Sequence, residues 1–170
     1  MDLKSLIRDI PDFPKPGIIF KDITPILKSP EAIQYCIDAL AAPHMNQSID
    51  YVVGIESRGF LFGPAIAAKL GAGFIPVRKR GKLPHRTRVV NYDLEYGSDS
   101  LEIHEDAIEA NSRLLLTDDL LATGGTMKAT IELVTPFSPH IVGVSLLVEL
   151  AFLNGSAQLD DIPIHSLVQY

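Results

Sequence analysis

The stretch LLLTDDLLATGGT, residues 114–126, decides how the chain reads. A run of strand-forming residues meets two adjacent carboxylates, Asp118 and Asp119, and then a small-residue loop with paired glycines. Leu114–Thr117 is the expected strand and Thr126 opens the expected helix, so Ala122, Thr123, Gly124, Gly125 and Thr126 offer successive backbone N–H groups at a helix N-terminus. That arrangement cradles an anion, and the glycines let the backbone approach closely. The loop lacks the GK[ST] of a triphosphate loop and is not GxGxxG, which disfavours a triphosphate or a dinucleotide. Acids beside such a cradle repel phosphate and need another partner. Ribose hydroxyls suit them, as does a divalent metal. A sugar 5-phosphate satisfies both halves, with its monoester in the loop and its diol on the acids.

Outward from this stretch, apolar runs alternate with helical patterns. YVVGI (51–55), GFIPV (73–77) and HIVGVSLLVEL (140–150) read as buried strands. SPEAIQYCIDALA reads as a helix capped by Ser29 with Pro30 at its first position, and FLFGPAIAAKLG as one ending at Gly71. LEIHEDAI reads as a strand, and RVVNYDLEYG (88–97) as a hairpin or lid. The first 28 residues, with four prolines, read as extended and turn-filled rather than helical. Beyond residue 150 no element is assigned. The expected fold is α/β: a mostly parallel central sheet flanked by helices. Ligands of such sheets sit at the carboxyl ends of the strands, which places Glu56–Gly59, Arg78–Lys82 and Asp118–Thr126 on one rim.

Composition sets the outer limits. At 170 residues the chain is expected to form one domain, 1–170, with a small hood over 1–28, a core over 29–170 and a lid near 78–100. A net charge of −6 argues against a nucleic-acid partner. No apolar run approaches the ~20 residues of a membrane helix, and no signal-peptide block opens the chain. A lone cysteine, Cys36, fits a reducing compartment and a buried thiol, so a soluble cytoplasmic protein is expected. Against this acidic background, Arg78, Lys79, Arg80, Lys82, Arg86 and Arg88 concentrate positive charge in one segment, as a local polyanion would require.

DDLLATGGT resembles the phosphoribosyl diphosphate signature of the type I phosphoribosyltransferases. PDFPKPGIIFKDITPIL, GIESRGFLFGP, RKRGKLP, YDLEYG and the terminal SLVQY follow the order of the adenine-specific branch of that family, nearly end to end. The resemblance implies transfer of a 5-phosphoribosyl group to N9 of adenine, yielding AMP and diphosphate in purine salvage. Mg²⁺ would be bound mainly through the substrate, and the protein would be a homodimer. The leaving diphosphate would lie on Glu56, Ser57 and Arg58, with a non-proline cis peptide expected at Glu56–Ser57, and on Arg78, Lys79, Lys82 and Tyr96. Glu95 would accept or position the N9 proton, with Arg58 as its catalytic partner. Backbone groups of Ile19 and Lys21 would read adenine, and Leu150 would pack on its ring.

Three positions depart from the family pattern: Lys21 stands in place of arginine, Glu56 in place of aspartate, and HRTR follows KLP. A phosphoribosyltransferase for a 6-oxopurine is the nearest rival reading. A nucleic-acid-binding regulator that senses phosphoribosyl diphosphate is the rival of another class.

Overall fold

The computed structural model describes residues 1–94 and 97–170. A two-stranded antiparallel sheet, β1 (Arg8–Pro11) with β2 (Ile19–Asp22), precedes the short helix α1 (Thr24–Lys28) and the longer α2 (Pro30–Ala41). Then come β3 (Tyr51–Ile55), α3 (Gly63–Leu70), β4 (Gly73–Lys79), β5 (Thr87–Leu94) and β6 (Gly97–His104). β7 (Arg113–Leu121), α4 (Gly125–Val134), β8 (His140–Glu149) and β9 (Ile164–Gln169) complete the order.

Seven strands form the main sheet in the order β5-β6-β4-β3-β7-β8-β9. The pairs β3–β4, β3–β7, β7–β8 and β8–β9 are parallel, while the β5–β6 hairpin joins antiparallel at the β4 edge. The apolar runs are continuous because both faces of the parallel strands are covered. Val52, Leu115 and Leu147 face one core with Cys36 and Leu40 of α2 and Ile66 of α3. Their neighbours Val53, Leu114, Leu116 and Leu146 face the other core, against Met127 and Leu133 of α4. Successive strand residues point to opposite faces, so one run of leucines serves two helical layers.

Helix α2 starts as its sequence predicts. The Ser29 side chain accepts the Ala32 N–H at 3.2 Å, and Ala32, Cys36 and Leu40 lie buried at four-residue spacing. Burial pushes the Cys36 thiol up to about 11, which leaves it a core residue rather than a nucleophile. Helix α3 ends on Gly71, whose φ of +68° suits a residue without Cβ.

Three details differ from expectation. Thr24–Lys28 is helical, not extended, because Pro25 lies in the first turn, where its missing N–H costs no hydrogen bond. β7 does not stop at Thr117 but runs to Leu121, with Asp118 and Leu120 in register with Leu146 and Val148 of β8. A ninth strand, Ile164–Gln169, extends the parallel sheet beside β8.

Candidate active site

A cleft of about 380 Å³ opens at the carboxyl ends of β3, β4 and β7. The cleft lies on the rim predicted from strand order, although of Arg78–Lys82 only Lys79 lines it. Three segments meet there: Glu56–Arg58 after β3, Lys79 at the end of β4, and the unbroken run Asp118–Met127. Tyr92, Asp99 and Leu101 of the β5–β6 hairpin close the side.

The 122–126 loop leads from β7 into α4. Gly124 has φ of +89° and caps a helix that carries no acidic residue in its first turn. Amide hydrogens at this end are thus free of a competing side-chain carboxylate, and the helix dipole favours an anion. A support not evident in the sequence lies behind the loop. A Cβ on Gly155 would fall 2.2 Å from the Ala122 carbonyl oxygen, and one on Gly124 only 2.5 Å from the Gly155 carbonyl oxygen. Two glycines therefore stack backbone on backbone, and the Gln158 amide donates to the Thr123 carbonyl at 3.0 Å.

Asp118 and Asp119 form the wall beside this cradle. Asp119 is buried; its backbone N–H donates to Asp118 Oδ1 at 2.8 Å. Asp118 is half-buried and lines the cleft. Burial and the adjacent Asp119 charge push it well above the usual carboxylate range. Burial also raises Asp119, against the opposing pull of Arg58. The Arg58 Nε lies 3.0 Å from Asp119 Oδ2, an ion-pair distance. Its N–H is not aligned on that oxygen, which is buried without a hydrogen-bond donor.

Arg58 is positioned by close packing. The turn after β3 approaches β7 so tightly that a Cβ on Gly59 would lie 3.0 Å from the Thr117 carbonyl oxygen and 3.2 Å from Asp118 Oδ1. The Glu56–Ser57 peptide is cis, as expected. Above the turn, the Arg58 guanidinium lies 4.9 Å from the Phe20 ring centroid of β2, which links the cleft to the hood.

The basic segment divides. Lys79 lines the cleft and pairs with Asp99. Arg78 lies outside the lining and grips Glu56 with two nitrogens, at 3.1 and 3.3 Å, while the Lys79 N–H donates to the same carboxylate. Burial acts to raise Glu56, but Arg78 and the Lys79 amide outweigh it and hold it low. Lys82 is exposed on the next loop, where its backbone N–H and that of Leu83 donate to buried Glu102, each at 2.8 Å.

In the hood, Ile19 is exposed on β2, whereas Lys21 is buried. The Lys21 ammonium contacts Asp9 at 2.7 Å and stands 3.7 Å from the Tyr170 ring centroid. Leu150 follows β8 and donates its N–H to the Leu121 carbonyl at 2.9 Å. Glu95 and Tyr96 lie outside the described residues. Asp99, Glu102, Gly155 and Gln158 have no counterpart in the sequence reading, because none belongs to a motif that bears chemistry; Tyr92 opens the YDLEYG motif but carries no role in that reading.

A family model for the phosphoribosyl transferase domain matches residues 22–162. The adenine phosphoribosyltransferase of Synechocystis sp. is 59% identical over 172 residues, covering all of both chains. The crystal structure of the Thermoanaerobacter pseudethanolicus adenine phosphoribosyltransferase superposes with a TM-score of 0.96 at 49% identity, covering 99% of this chain and 98% of that one. The Saccharomyces cerevisiae enzyme, solved with an imino-altritol bisphosphate and adenine, gives 0.92 at 44% identity, covering 98% and 96%. With a cleft that joins an anion cradle to paired aspartates at the rim of this sheet, the chain belongs to the phosphoribosyltransferase family, in its adenine phosphoribosyltransferase branch.

Proposed function

We propose that the cleft performs adenine phosphoribosyl transfer by a division of labour among its three walls. The amides of Ala122–Thr126 take the 5-phosphate, and Asp118 and Asp119 take the ribose diol. Arg58, Ser57 and Lys79 face the diphosphate. Departure of that group breaks the C1–O bond and leaves positive charge on the ribose ring. The negative field of the aspartates favours the cation, while Arg58 stabilises the leaving oxygens. Adenine attacks C1 through N9, with the N9 proton passing to Glu95. Ile19 and Lys21 are assigned to reading the base through backbone groups, since the Lys21 ammonium is already committed to Asp9. Leu150 is assigned to the ring face. Arg78 serves through Glu56 rather than by direct contact, and Lys82 and Tyr96 are assigned to the diphosphate.

The observation that carries this reading is the contiguity of cradle and acids. Asp118–Met127 lines the cleft without a gap, so one short ligand reaches both.

Magnesium fits this site as a passenger on the diphosphate. Among the described residues no three His, Cys, Asp or Glu side chains converge to hold a metal by themselves. The donor set is carboxylate oxygen, so Asp118 and Asp119, which line the cleft, are the side chains to which hydrated Mg²⁺ would turn. When bound it would neutralise charge on the leaving group. A cytoplasmic homodimer completes the proposal. It is supported by the family resemblance and by a single, buried thiol that needs no oxidising compartment.

A turnover assay with adenine, phosphoribosyl diphosphate and Mg²⁺, run beside Glu95→Gln, tests the reading. AMP is expected from the parent chain, with kcat lowered by about a hundredfold or more in the variant. Unchanged activity would remove Glu95 from the mechanism, and preference for hypoxanthine over adenine would overturn the base assignment.

A further inference from the structure

Lys79 is the lysine that lines the cleft, and it is not idle there: its ammonium pairs with Asp99, which lines the same cleft from β6. The two partners are held very differently. Asp99 Oδ1 accepts the Ser100 N–H at 2.8 Å, which fixes the carboxylate against its own strand. The Tyr92 hydroxyl, directly across the hairpin ladder, faces Asp99 as well. Lys79 has a long flexible stem and a side chain that is half exposed, against 23% for Asp99. In any rearrangement the lysine moves and the aspartate stays. Glu56 cannot substitute for Asp99, because its oxygens already serve Arg78 and the Lys79 backbone.

We propose that Asp99 is a built-in competitor of the diphosphate, a fixed counter-ion that holds Lys79 between turnovers and takes it back as product leaves. The inference rests on reading the cleft as a diphosphate site. A diphosphate carries more negative charge than a carboxylate and captures the ammonium, but only by breaking an existing pair and tolerating a carboxylate nearby. Binding is thereby weakened and release favoured. Asp99 touches no reacting atom; it positions Lys79. Each member of the pair stabilises the charged form of the other, raising Lys79 and lowering Asp99, so both are ionised at neutral pH.

A purely structural aspartate and a competing one make opposite predictions. Titration calorimetry of the full chain with inorganic diphosphate and magnesium chloride separates them. Asp99→Asn, which keeps the acceptor for the Ser100 amide, is expected to tighten diphosphate binding about tenfold, because the Lys79 ammonium no longer has to leave a charged partner before it reaches the diphosphate. Asp99→Ala should shift it in the same direction. In a Lys79→Ala background, where no ammonium remains to be contested, the gain from Asp99→Asn should shrink to less than about threefold. Unchanged or weaker binding in both Asp99 variants would overturn the proposal, as would a full gain that persists without Lys79. Failure of the parent chain to bind diphosphate at all would instead sink the reading of the cleft, and the inference with it.

Discussion

Asp118 and Asp119 show how function at a single residue opposes stability. Both carboxylates lose water in the folded chain and repel one another, so the fold favours their protonated forms. The unfolded chain releases these protons near the usual 3.8, whereas the folded chain holds them to higher pH. The folded state therefore binds more protons in the window above 3.8. The pair's contribution to stability falls as pH rises through that window and stays unfavourable beyond it. Asp118→Asn, which preserves the acceptor for the Asp119 amide, is expected to stabilise the protein at pH 7, because the substitution removes a charge that the fold disfavours. Denaturant unfolding should show that gain vanish at pH 3.5, and turnover should drop at least about tenfold as the diol loses a charged acceptor. The acids, the glycines and Arg58 were legible in the sequence because each sits in a contiguous motif whose chemistry is local. Asp99 was not: its partner Lys79 is 20 positions away, and no spacing rule joins a hairpin residue to a strand end.

At the scale of elements, the sequence disclosed the βα alternation, because buried parallel strands are continuous apolar runs and the helices carry their own caps. It misjudged where β7 ends. Aspartate is a poor strand former, yet here the ladder to β8 outweighs local preference and carries both acids to the cleft on a rigid strand rather than a loop. The segment after β8 was the larger gap. Its short 3₁₀ turns carry no periodicity, although Gly155 and Gln158 support the 122–126 loop from behind. Gln158→Ala should leave that loop less well positioned without touching substrate. Steady-state kinetics are expected to show a several-fold rise in KM for phosphoribosyl diphosphate, about 1 kcal/mol for one lost hydrogen bond, with KM for adenine unchanged.

Across the described residues, the hood packs into the core through Leu3, Ile7, Ile23 and Ile26 and adds aromatic contacts that the N-terminal sequence alone does not disclose. Phe20 lies against Arg58, and the Tyr170 ring receives both Lys21 and, at 4.9 Å, Lys4. Tyr170 also closes onto the end of β8, donating its N–H to Glu149 and accepting that of Ala151. Chain segments that are remote in sequence thus meet around Lys21, one of the two hood residues assigned to the base in the proposed function. Substituting Tyr170→Ala removes the aromatic face while leaving the phosphate side intact. The expected outcome is a several-fold increase in KM for adenine, on the scale of the roughly 1 kcal/mol of a partly exposed cation–π contact, with little change toward phosphoribosyl diphosphate.

The most direct measurement of the division of labour is a crystal structure of the chain with ribose 5-phosphate. The phosphate should sit against the amide hydrogens of Ala122–Thr126, with the 2- and 3-hydroxyls on Asp118 and Asp119. A sugar phosphate bound elsewhere, or bound with its phosphate toward Arg58 and its hydroxyls away from the aspartates, would contradict the account.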